Sequence, residues 1–219
     1  MKKLLPVIAF LAAAAAVALQ QPVAAEDPKT DMDLFDNTTY GIKVWKPKGK
    51  DQWKIVGEGA WDKDFAEKGA FILQKWAADN KDGDSSKSPP LVQIYCTRYS
   101  TQEKYKIGDW EGTPSSTKGF AKAIYDVWME REYKNPKNVK ETDKVAYPCG
   151  SMYAFSCYAE HKKYGGSFFV RLLVCKADGK NTYTFGVYCP PGEEKMDGKH
   201  SGEEIELVLK SIKFYDVKK

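Results

Sequence analysis

Three strand-like runs follow one another with no room for a crossover between them, and this constrains the fold more than any other feature. SMYAFSCY (151–158), SFFVRLLVC (167–175) and TYTFGVYC (182–189) are rich in β-branched and aromatic residues. AEHKKYGG links the first pair and a short turn containing Asp178-Gly179 links the second, the latter a strong hairpin signal. Parallel neighbours would need a crossover of a dozen or more residues, usually helical. The runs are therefore expected to be antiparallel neighbours.

More strands are expected before them. Tyr40 to Pro47 alternates as a strand, KPKGKDQ reads as a turn, and Trp53 to Val56 is expected to return as its partner. AFILQKW (70–76) suits a strand or a helix, and LVQIYCTRYS (91–100) reads as a strand. ADNKDGDSSKSPP (78–90) is turn material. A helix is expected after Pro114, capped by Ser115, Ser116 or Thr117. Phe120, Ile124, Val127 and Trp128 form its apolar stripe, Arg131 continues the spacing, and Asn135-Pro136 marks the end. A second amphipathic helix is expected at 203–212, before KFYDV. The expected class is α+β: an antiparallel sheet of about six or seven strands with helices packed on it.

The N-terminus has the three parts of a secretory leader. Met1-Lys2-Lys3 precedes an apolar stretch, and Val23-Ala24-Ala25 places small residues before Glu26. Cleavage after Ala25 leaves 194 of the 219 residues and removes two lysines, so 32 basic residues face 30 acidic ones. The expected organisation is a signal peptide at 1–25, a flexible arm at 26–39 and a single α+β domain at 40–219. Mixed charges and the lack of another long apolar run argue against nucleic acid as a partner and against stable membrane insertion. Localisation is expected to be periplasmic or extracellular. Asn37-Thr38-Thr39 would accept a glycan only in a eukaryotic secretory pathway.

An exported chain with five cysteines is expected to carry disulfides. Cys175 lies roughly opposite Thr182 across its hairpin, which places Cys175 and Cys189 at opposite ends. Cys149 and Cys157 are separated by eight residues along one segment, about 26 Å at ~3.3 Å per residue if extended. The end of the second run falls near the start of the first, so Cys149–Cys175 is the favoured bridge. The alternative is that several cysteines are buried thiols acting as small apolar residues.

Signals for chemistry are sparse. His161 and His200 sit in polar turns and are expected to be exposed. GxSxG, HExxH and the nucleotide-binding glycine patterns are absent. DNKDGD (79–84) fails the calcium-loop pattern, with Gly83 at the fifth position and Pro90 at the twelfth. No enzymatic activity, cofactor or metal is expected. Trp45, Trp53 and Trp61 recur at a spacing of eight. They are read first as core anchors, with cross-strand contact between Trp45 and Trp53, and second as a stacking surface for a sugar or an aromatic ligand. Trp110, in the loop-like GDWEGT, is the better candidate for exposure.

The order of elements resembles the PsbP-like family. The resemblance rests on the opening from Tyr40 to Trp53 and on the closing EEIELVLKSIKF (203–214), where Ser211 and Phe214 match a helix followed by Ser-x-x-Phe on a last strand. It spans residues 40–217 in layout. It implies an antiparallel sheet between helices and a non-enzymatic role, as in extrinsic photosystem subunits and their exported bacterial relatives. The 78–90 insertion and the cysteines depart from the family pattern, and no binding residue carries over. The expected function is an exported binding or assembly domain acting through a protein partner in the cell envelope. The alternatives are a glycan- or cell-wall-binding module and a secreted hydrolase with a carboxylate pair.

Overall fold

The computed structural model describes residues 32–48, 52–56, 69–114, 117–177 and 180–217. The leader and Trp61 lie outside these segments. Seven strands form one antiparallel sheet: β3 (Trp53–Val56), β4 (Gly69–Lys75), β5 (Val92–Ser100), β8 (Tyr133–Tyr147), β9 (Gly150–His161), β10 (Ser167–Ala177) and β11 (Asn181–Cys189). Their spatial order is β3-β4-β5-β11-β10-β9-β8. SMYAFSCY, SFFVRLLVC and TYTFGVYC lie in β9, β10 and β11, with Val170 opposite both Cys157 and Tyr188. AFILQKW resolves as strand, not helix.

Side chains alternate across this sheet, and both faces are covered. One face carries Phe71, Leu73, Ile94, Met152, Leu173 and Phe185. Against it pack α2 (Gly202–Ser211), through Ile205, Val208 and Leu209, and a small sheet of β1 (Met32–Asn37), β2 (Ile42–Pro47) and β12 (Lys213–Phe214). The other face carries Ile72, Tyr95, Phe155, Leu172, Val174 and Tyr188, under α1 (Thr117–Glu132). A sheet buried on both faces explains why its central strands are so continuously apolar. The short hairpin of β6 (Tyr105–Ile107) and β7 (Trp110–Gly112) lies beside α1. The coarse α+β architecture expected from the sequence is present. Among the described residues no helix is long and apolar enough to cross a membrane.

Several expectations are corrected. Met32–Asn37, inside the stretch read as a flexible arm, is an ordered strand paired along its length with β2. Asn37 is buried and donates its amide to the Ala70 carbonyl at 2.8 Å, which leaves it no room for a glycan. β2 and β3 do not form a hairpin. β2 pairs with β1 and β12 while β3 pairs with β4, so Trp45 and Trp53 belong to different sheets. On α1 the buried side is Phe120, Ala121, Tyr125, Trp128 and Met129, while Ile124 and Val127 are only half-buried.

The long edge strand β8 was not expected. From Lys134 to Lys144 its side chains are exposed, and Asn135, Asn138 and Lys144 adopt positive φ of 54°, 55° and 60°. Its pairing with β9 shifts register at three places.

Candidate functional site

Among the described residues, a concavity lies where the C-terminal end of α1 meets β5, β8 and the β9–β10 turn. It is a cavity of about 260 Å³, lined chiefly by Tyr95, Trp128, Tyr133, His161, Tyr164 and Tyr188. These residues span 95 to 188, and the fold brings them together for separable reasons. Tyr95 projects from β5 over Gly186 of β11, where a Cβ would stand 2.3 Å from the Tyr95 ring carbon Cζ. Only glycine leaves space for the ring. Trp128 stands on the sheet-facing side of α1. Tyr133 opens β8 directly opposite His161, the last residue of β9.

The rings meet edge to face in succession. Tyr95 and Trp128 have centroids 5.3 Å apart at 86°, Trp128 and Tyr133 5.3 Å at 88°, and Tyr133 and His161 4.9 Å at 65°. Tyr188 follows at 5.8 Å and 73° from His161, while Tyr164 leans on it at 4.5 Å and 44°. Edge-to-face contact is the preferred arrangement for aromatic quadrupoles, so successive rings stand as walls at steep angles to one another.

The phenols of Tyr95, Tyr133 and Tyr188 and the imidazole of His161 are held uncharged at neutral pH. Burial pushes the phenols of Tyr95, Tyr133 and Tyr188 well above the ordinary tyrosine range, aided by neighbouring phenols and the Glu132 carboxylate. His161, expected to be exposed, is 5% exposed. Burial first, then the nearby Lys163 ammonium, lower its pKa to about 4. Its Nδ1 accepts the Lys163 backbone N–H at 3.1 Å, which puts the proton of the neutral ring on Nε2. The Tyr188 hydroxyl is buried without a hydrogen bond of good geometry, with Tyr164 as its polar neighbour.

The rim is charged. Arg131 Nε stands 3.0 Å from Glu132 Oε1, and Lys163 is exposed with its ammonium 5.2 Å from the Tyr164 ring centroid. The helix end is tied down there, because the Glu132 carbonyl accepts the Lys162 N–H at 2.8 Å and the Glu130 carbonyl accepts the Lys162 ammonium. A second cavity of about 290 Å³ adjoins the first and shares Tyr95, Trp128 and Arg131 with it. Ile124 and Val127 line it, and at its floor the Thr97 and Thr184 hydroxyls bond each other.

The tryptophans singled out in the sequence lie elsewhere. Trp53 is in the core, its indole N–H donating to Glu204 Oε2 at 3.2 Å. Trp45 is half-buried, with the Lys213 ammonium 5.2 Å from its ring centroid. Trp110 is half-buried and packs against Phe120 at 5.3 Å. Trp45 and Trp53 do not form a row, and Trp61 lies outside the described residues. Trp128, read only as part of a helix stripe, is the tryptophan of the cavity. Tyr133 and His161 stand at strand ends, and their meeting is visible only once the register is known.

Cys149 and Cys175 are brought together but are not joined, and all five cysteines are thiols. The Cys175 thiol points at the Cys149 carbonyl, with Sγ 3.7 Å from the oxygen. The expected bridge is therefore absent from this structure, although the neighbourhood that suggested it is present.

No family model matches this chain, and no curated protein matches it. The comparisons thus give the PsbP-like resemblance no support. Among solved structures, the chain is similar to LpqN of Mycobacterium tuberculosis, described as involved in cell envelope biogenesis. That match has 12% identity and a TM-score of 0.48, and covers 84% of this chain and 91% of that one. A protein from Bacteroides thetaiotaomicron matches at 11% identity and a TM-score of 0.42, over 85% of this chain and 48% of that one. Neither likeness is close enough to carry a function across.

Proposed function

We propose that this chain is an exported, non-enzymatic binding domain whose recognition site is the aromatic cavity at the end of α1. The observation that carries the reading is the set of steeply angled rings around a space close to the lower limit of small-ligand sites, roughly 300 Å³. The groups on these walls hold their protons or stay neutral: the phenols are pushed up, His161 is pushed down, and its Nδ1 is engaged by backbone. They suit contact better than proton transfer. The leader pattern of residues 1–25 supports export, and the proximity of Cys149 to Cys175 suits a bridge that closes in an oxidising compartment. A protein partner in the envelope completes the proposal. The glycan alternative moves from the tryptophan row to this cavity, where rings and the Tyr188 hydroxyl would meet a sugar.

Thermal unfolding against a panel of sugars, amino acids, amines and nucleosides tests the reading. A ligand at a hundredfold its Kd stabilises by about 2.7 kcal/mol, which raises Tm by roughly 5–10 °C for a chain of this size. The gain is expected to shrink in Tyr164→Ala, which removes a half-buried wall outside the core. A panel without a hit, or a hit indifferent to Tyr164→Ala, refutes the assignment.

A further inference from the structure

We propose that this cavity is an aromatic cage for an organic ammonium group, of the quaternary or alkylated kind, with an anionic group at the other end of the ligand. The inference rests on the binding reading above and names the chemistry that the walls select.

The faces of aromatic rings attract cations through their quadrupole, and desolvated cages of this kind are the usual means of holding alkylated ammonium. Here Tyr95, Trp128, Tyr133, His161 and Tyr188 succeed one another edge to face, so several ring faces can converge on one enclosed group. A protonated histidine among them would repel a cation, and His161 is held neutral. Glu132 lines the cavity, and its carboxylate lies near enough to act on the Tyr95, Tyr133 and Tyr188 phenols. The cavity also sits at the C-terminal end of a sixteen-residue helix, where the backbone dipole favours positive charge.

The rim complements this interior. Arg131, whose Nε is paired with Glu132, and Lys163 both line the cavity, and both are exposed. A bare cation meets them unfavourably on entry, whereas a ligand with a trailing carboxylate or phosphate meets them favourably. The combination of an uncharged aromatic interior, one carboxylate and a basic rim selects a zwitterion.

Isothermal titration of the mature chain with glycine betaine, choline and 3,3-dimethylbutan-1-ol tests this. The last compound has the shape of choline with carbon in place of nitrogen. Betaine is expected to bind, choline more weakly, and the neutral alcohol about tenfold or more below choline. Glu132→Gln is expected to weaken betaine and choline several-fold while leaving the alcohol unchanged. Arg131→Ala is expected to remove the advantage of betaine over choline. If the alcohol binds as tightly as choline, the ammonium inference is overturned while the binding cavity stands. If choline equals or exceeds betaine, the zwitterion is overturned. If none of the three binds, the cage is overturned, and the ligand panel then decides separately whether the cavity binds anything.

Discussion

Lowering the pH from 7 to 5 is expected to cost the fold about 2 kcal/mol through His161 alone. The ring is walled by Tyr133, Tyr164, Phe168 and Tyr188, and the charge that bears on it is the Lys163 ammonium. In the folded chain it takes up a proton at about pH 4, against an ordinary 6.5. Above 6.5 the ring is neutral in both states and imposes no penalty. Between 6.5 and 4 the unfolded chain binds a proton that the folded chain refuses, so stability falls as the pH falls. At pH 5 the unfolded ring is favoured by a factor of roughly 30, which is about 2 kcal/mol, and the limit below pH 4 is roughly 3 kcal/mol. Urea unfolding of the wild type and His161→Phe at both pH values isolates the effect. Phenylalanine keeps the ring contacts and deletes the titrating site, and its loss of the Lys163 N–H acceptor applies at both pH values and cancels. The wild type is expected to lose about 2 kcal/mol more than the variant. Equal losses would refute the buried, neutral histidine.

Gly186→Ala drives a methyl group into the Tyr95 ring, which Trp128 backs at 5.3 Å. A loss of about 1–3 kcal/mol by thermal unfolding is expected, smaller in the Gly186→Ala/Tyr95→Leu double variant than the two single losses together. Additive losses would show that the ring does not occupy that space. Trp53→Ala opens the core beside α2 and removes the indole bond to Glu204, which keeps its ion pair with Lys75, with an expected cost of about 3–5 kcal/mol in urea unfolding. A cost below about 1 kcal/mol would place Trp53 at the surface. Oxidised glutathione is expected to join Cys149 to Cys175 before any other pair, seen as a linked peptide under non-reducing mass spectrometry. A first bridge through Cys96, Cys157 or Cys189 would refute that proximity.

What the sequence could disclose depended on whether burial leaves a local period. β9, β10 and β11 alternate against two covered faces, and the links between them are too short for a crossover, so their order and direction were legible. β8 was hidden because KNPKNVKETDK contributes almost nothing to the core. It is held by backbone pairing to β9, and Pro136 argues against a strand. β2 was expected to pair with β3 because they are close in sequence. The end of α2 instead delivers Lys213 and Phe214 to β2, opposite Lys43 and Ile42, a pairing across some 170 residues that no short-range pattern reveals. His161 misled for the same reason: its neighbours in sequence are the charged Glu160, Lys162 and Lys163, but its register partner is the buried Tyr133. The cavity is assembled from several elements, and its residues share no spacing at all.

The edge strand β8 has a further meaning for how this molecule meets others. An open strand is ordinarily a template on which a second copy or a stray segment can extend the sheet, and the end state of that process is a fibre. Here Lys134, Lys137, Lys140 and Lys144 line the edge, Pro136 offers no N–H, and three left-handed residues break its course into short lengths. An incoming strand finds no straight run of donors and acceptors and must bury ammonium groups to approach. Sheet growth thus stops at β8, and a partner arriving from that side must engage side chains.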